Sequence, residues 1–149
     1  MKISTAEAMH QLGHRIGSQC RAGDLILLNG PLGAGKTVLV QGIGEALGFK
    51  DITSPTFVIS RLHKPSNISS LALIHVDVYR LLESGNAALY LDDLDLDTPR
   101  EEAVTVIEWG GAESARLNED RLEIEINRNE DIREVEIAPV GQRWSEFSL

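Results

Sequence analysis

Residues 30–37 read Gly-Pro-Leu-Gly-Ala-Gly-Lys-Thr and fit the pattern G-x-x-x-x-G-K-[ST] at every fixed position. The pattern constrains the fold because it works in one setting, between the end of a buried strand and the start of a helix. Both flanks are present. The apolar run Leu25-Ile26-Leu27-Leu28 leads in, and residues 38–47 lead out with Leu39, Ile43 and Leu47 on one face, stopping at Gly48. The glycines let the backbone curl until successive N–H groups face inward as an anion nest, and the positive end of the helix dipole points at the same spot. Lys36 is expected to reach the β- and γ-phosphates, and the Thr37 hydroxyl to sit on a magnesium ion. A plain glycine-rich turn with an exposed lysine would share the letters but not the flanking strand and helix. The chain is expected to bind a nucleoside triphosphate.

The 149 residues suit a single domain, 1–149, with a short flexible tail from about residue 141 that Trp144 and Phe147 dock. No apolar run approaches the ~18 residues of a membrane span, and the N-terminus lacks the apolar segment of a signal peptide. Cys20 is the only cysteine and reads as a small apolar residue in a reducing, cytoplasmic setting. The net charge of −9, with Lys and Arg scattered, argues against this chain gripping a nucleic acid by itself.

Helical and strand patterns alternate along the chain. Met9, Leu12, Ile16 and Cys20 recur at helical spacing behind a Ser4/Glu7 capping-box pair, which predicts a helix over 5–20. Strands are expected at 25–29, 57–62, 71–76 and 103–107, and a helix over 80–91. Residues 121–127 and 134–138 alternate apolar and polar positions, and the polar stretch 128–131 between them reads as a hairpin turn. The expected fold is α/β: a three-layer P-loop NTPase core with a central, mostly parallel sheet and an antiparallel C-terminal hairpin.

Two acids end apolar strands, Asp77 after 71–76 and Glu108 after 103–107. Ligands of open α/β sheets bind beyond the carboxyl ends of strands, where both would sit. One would hold magnesium while the other orients or activates the attacking water. A carboxylate at a strand end also caps neighbouring helices, and spacing does not assign the roles.

Four segments in this order carry a resemblance: residues 30–37, Ser54-Pro55-Thr56-Phe57, His75-Val76-Asp77-Val78-Tyr79-Arg80-Leu81 and Ile107-Glu108-Trp109. Together they resemble the TsaE (YjeE) family of small bacterial P-loop ATPases, whose pattern is G-x-L-G-A-G-K-T, S-P-T-[FY], H-F-D-L-Y-R-L and I-E-W. Three positions depart: Val76 and Val78 stand for Phe and Leu, and Gly110 stands where proline is frequent. The resemblance implies ATP and Mg2+ as cofactors and a place in bacterial N6-threonylcarbamoyladenosine synthesis on tRNAs reading codons that begin with A. It implies TsaD and TsaB as protein partners, with tRNA met only through that complex and no membrane. It further implies that TsaC-type enzymes supply the threonylcarbamoyl adenylate and that slow ATP hydrolysis by such a chain would reset the complex between turnovers.

Carried over by position, the resemblance assigns Leu32, Gly33, Ala34, Gly35, Lys36 and Thr37 to the phosphates. It assigns Thr37 and Glu108 to the metal, and Lys36, Asp77 and Glu108 to catalysis. Thr56 would sense the γ-phosphate from a switch segment. Arg133 in the hairpin, Thr5 at the start of the first helix and Trp109 would lie about the nucleotide.

Weaker signals read blandly. His10 and His14 are four apart on a helix but lack a third ligand, so they are expected on the solvent face. Asp92, Asp93, Asp95 and Asp97 lack the pattern of a calcium loop and read as a solvated loop, with a partner-facing acidic patch as the alternative. Two other readings of the phosphate loop compete: a small-molecule kinase, which would bring an arginine-rich lid, and a nucleotide-gated binding module whose hydrolysis is incidental.

Overall fold

A computed structural model describes residues 1–50, 52, 60–63, 71–77, 100–108 and 114–149. Among the described residues, seven strands form one sheet: β1 (Lys2–Ile3), β2 (Leu25–Asn29), β3 (Ser60–His63), β4 (Ala72–Asp77), β5 (Ala103–Glu108), β6 (Arg121–Asn129) and β7 (Ile132–Val140). Their order is β1-β7-β6-β2-β5-β4-β3. The four central strands, β6, β2, β5 and β4, are parallel, and antiparallel pairs close both sides. This is the expected α/β architecture with its C-terminal hairpin. The helix expected at 80–91 and the aspartates at 92–97 lie outside the described residues.

Two helices, α1 (Ala6–Gly17) and α2 (Lys36–Ala46), cover one face of the sheet. Met9, Leu12 and Ile16 of α1 and Leu39, Val40 and Ile43 of α2 are buried against Ile26, Leu28, Val104, Val106 and Leu73. The opposite face buries Leu25, Leu27, Ile74, Val76 and Ile107 against Ala115 and Leu117. A strand buried on both faces needs an unbroken apolar run, which is why 25–28 carries no alternation. The α1 cap differs from the capping-box reading: Thr5, not Ser4, holds the last extended backbone position, and its hydroxyl accepts from the Ala8 N–H at 3.1 Å. Glu7 instead accepts from Gln11 one turn on.

The helices touch backbone to backbone. A Cβ on Gly13 would lie 2.1 Å from the Leu39 carbonyl oxygen, and one on Gly42 would lie 2.0 Å from that of His10. No side chain fits between them, so glycine at both positions sets the separation of the helices.

The segment after Gly141 is anchored. Trp144 is 1% exposed and meets Phe147 edge to face at 5.6 Å between ring centroids. Arg143 stacks over the Trp144 ring and forks onto Asp24, with Nε to Oδ1 at 2.9 Å and Nη2 to Oδ2 at 2.7 Å. Near that pair, burial and then the Asp24 charge push the Cys20 thiol up to about 12. Among the described residues no helix is long and apolar enough to cross a membrane.

Gly42→Ala forces the helices apart and is expected to cost about 3 kcal/mol, an overpacking penalty read by chemical denaturation; wild-type stability would show that the contact yields easily. Because the thiolate is the nucleophile and Cys20 holds its proton far above neutrality, native protein at pH 8 should alkylate with iodoacetamide much more slowly than protein unfolded in denaturant. Equal rates would contradict this picture of the site.

Candidate nucleotide site

The phosphate loop leaves β2 at Asn29 and enters α2 at Lys36. Gly33 has φ 75° and Gly35 has φ 104°, the left-handed region that glycine enters without strain. Gly35 is the N-cap of α2 and offers no capping side chain, so the first-turn N–H groups of α2 point toward the loop's concavity. Gly30 is needed for space: a Cβ there would lie 2.6 Å from the Ile126 carbonyl oxygen of β6. The loop therefore rests directly on the C-terminal hairpin.

Lys36 is 6% exposed, and its ammonium donates to the carbonyls of Gly30 at 2.6 Å and Pro31 at 3.0 Å. Burial lowers its pKa, and the charges of Glu108, then Asp77 and Glu125, partly offset that pull. Two of those three acids are the strand-end pair expected from sequence. In the parallel register Asp77 lies beside Glu108, and Glu108 beside Leu28, so both carboxylates stand on the helix-covered face at the level where the loop begins. Thr37 follows Lys36 on the first turn of α2 and is half-buried.

Sequence reasoning passed over His75 as a site residue. It is fully buried, and its Nε2 lies 2.9 Å from Oε1 of Glu108, itself 3% exposed. A carboxylate accepts, so an Nε2–H of the ring would donate across this contact. Among the described residues Nδ1 has no hydrogen-bond partner. The signal was available: His75 precedes Asp77 by two, and residues two apart in a strand share a face.

Beside the loop lies a cleft of ≈ 430 Å³ formed by the start of α1, the phosphate loop and the hairpin. Thr5 and Arg133, both expected near a nucleotide, line it with Met9, Val38 and residues 33–35. Arg133 reaches it because β7 pairs with β1, setting Arg133 opposite Ile3. Leu32 is 89% exposed, so its backbone is what the loop contributes. Thr56 and Trp109 lie outside the described residues. Among the described residues no three His, Cys, Asp or Glu side chains group as a metal site. Magnesium suits such a place, since it is usually held by one or two protein oxygens together with phosphate oxygens; Thr37 and Glu108 are of the right kind. His10 pairs with Glu45 at 3.0 Å and forms no metal site with His14.

Residues 3–135 match the family model described as threonylcarbamoyl adenosine biosynthesis protein TsaE. A Mycobacterium tuberculosis protein named tRNA threonylcarbamoyladenosine biosynthesis protein TsaE is 51% identical over 120 residues, covering 78% of this chain and 71% of that one. Its Streptomyces coelicolor namesake is 46% identical over 143 residues, covering 92% and 94%. Among solved structures, the crystal structure of YdiB from Bacillus subtilis superposes with a TM-score of 0.75 at 28% identity, covering 97% of this chain and 86% of that one. The match runs from β1 through the phosphate loop and both strand-end acids to Val135 in the hairpin, and on it the chain belongs to the TsaE family.

Proposed function

We propose that this chain binds ATP with magnesium and hydrolyses it slowly, as a subunit needed for N6-threonylcarbamoyladenosine formation on tRNAs reading codons that begin with A. It would act in the cytosol on the TsaD–TsaB complex and meet tRNA only through it. The relatives' names supply the pathway. The chemistry is supported chiefly by one observation, the meeting of Lys36, Glu108 and Asp77 where parallel strands end beside the phosphate loop.

The adenosine would occupy the cleft between Thr5, Met9, Val38 and Arg133, and the phosphates would lie over the N–H groups of residues 33–37. Lys36 would exchange its two carbonyl partners for β- and γ-phosphate oxygens, a trade of neutral acceptors for charged ones. Hydrolysis joins a water oxygen to the γ-phosphorus and breaks the bond to the β,γ-bridging oxygen, releasing ADP and phosphate. Asp77 would orient that water and take its proton. Magnesium, bound through Thr37 and Glu108, would neutralise charge on the β- and γ-phosphates. His75 would fix the Glu108 carboxylate from behind, as partners of metal-binding groups do.

The test is multiple-turnover threonylcarbamoylation of tRNA by TsaC, TsaD and TsaB with ATP. This chain should sustain turnover past about one round, and Lys36→Ala should not. No difference between adding and omitting the wild-type chain would refute the assignment. Glu108→Gln separates hydrolysis from gating: the variant should bind ATP but stop after the first round, whereas repeated rounds would make hydrolysis incidental. His75→Ala should raise the Mg2+ concentration needed for half-maximal ATP hydrolysis by about ten- to a hundredfold, the usual cost of removing a group behind a metal ligand. An unchanged magnesium requirement would show that His75 only fills space.

A further inference from the structure

The β6–β7 hairpin carries a second arginine that the proposed ATP site does not yet use. In the register of the hairpin Arg128 lies directly opposite Arg133, so both side chains leave the same face. That face also carries Ile126 and Val135 into the core shared with α1 and α2, and the two arginines continue the rows beyond the core's edge. A Cβ placed on Gly33 would lie 3.5 Å from Nη1 of Arg128, which brings the guanidinium against the phosphate loop itself. Arg128 is exposed, and its one hydrogen bond among the described residues is from Nε to the Glu130 carbonyl at 3.5 Å, near the limit for such bonds. No carboxylate among the described residues pairs with either guanidinium. Like charges directly opposite on paired strands repel, and the one bond Arg128 makes in the hairpin, to a neutral carbonyl, leaves that charge unpaired.

An anionic group against Arg128 would offset that repulsion. We infer that Arg128 binds the diphosphate portion of the nucleotide, closing over Gly33 from the hairpin while Arg133 borders the base cleft and Lys36 takes the far phosphates. The inference rests on the proposed reading of this site as an ATP site. It makes the hairpin part of the nucleotide clamp, with a planar, five-donor group on the side of the phosphates that the loop backbone does not cover.

Calorimetric titration with ATP and with ADP tests it, using wild type, Arg128→Ala, Arg128→Lys and Lys36→Ala. Arg128→Ala should weaken both nucleotides by about tenfold, the usual effect of one charge-assisted hydrogen bond, and Arg128→Lys should recover part of the loss. Without nucleotide, Arg128→Ala should unfold at the wild-type temperature or higher, because a repulsion has been removed; a purely structural role would lower it. Wild-type affinity in Arg128→Ala overturns the inference and leaves the ATP reading standing. The same holds if that variant binds ATP normally but fails to support tRNA modification, which would assign the guanidinium to a protein partner. Absence of ATP binding by the wild-type chain overturns both.

Discussion

Leu28, Glu108 and Asp77 stand at one level because β2, β5 and β4 pair in parallel and in that register. Parallel pairing brings three strand ends to the same edge of the sheet, so a loop after one strand and carboxylates on the other two meet without long-range design. A slip of one residue in β5 would turn Glu108 to the opposite face and expose what Ile107 now buries. The apolar runs at 72–76 and 103–107 prevent that slip only indirectly, since both faces of these strands are buried. The more specific restraint is the His75–Glu108 contact, which costs an unpaired buried carboxylate if the register moves. The site thus reinforces the register that builds it.

A second dependence runs through the helices. The start of α1 borders the cleft and the start of α2 ends the phosphate loop, so the cleft's width is set by how closely the two helices pack. Gly13 and Gly42 remove the side chains that would set a wider spacing. Close packing also brings Met9 within ordinary contact distance of a Cβ built on Gly35, tying the α1 side of the cleft to the loop. The hairpin supplies the third wall, resting on Gly30 through Ile126.

Much of this was legible in the sequence. The phosphate loop, the parallel core, both strand-end acids and the hairpin followed from local patterns that a strand–loop–helix unit must satisfy. Thr5 and Arg133 came only from resemblance, because their approach to the loop depends on β1 pairing with β7, a contact between the two ends of the chain. The strand position of Arg128 was hidden for a definite reason. The polar stretch 128–131 reads as a turn, yet β6 runs on to Asn129 and the turn shrinks to Glu130 and Asp131, with Glu130 at φ 53°. Strands continue past the edge of a core wherever backbone pairing continues, and alternation of hydrophobicity stops registering them once both faces are wet. The Gly13 and Gly42 contacts were invisible because glycine inside a helix signals weakness locally and reveals its use only against a neighbour.

The charge distribution bears on what such a site can hold. The chain carries −9 overall, yet Lys36, Arg128 and Arg133 are gathered around one cleft and loop. Three cations suffice for a compact polyphosphate, whose charge lies within a few ångströms and is completed by backbone N–H groups. They do not suffice for a nucleic-acid backbone, which spreads one charge per phosphate over a long track and needs a stripe of cations to match it. The acid-rich remainder of the surface would repel such a track. The hairpin touches the loop through Ile126 and Arg128 while its other face is exposed, so it joins this cluster of cations to the acidic surface around it.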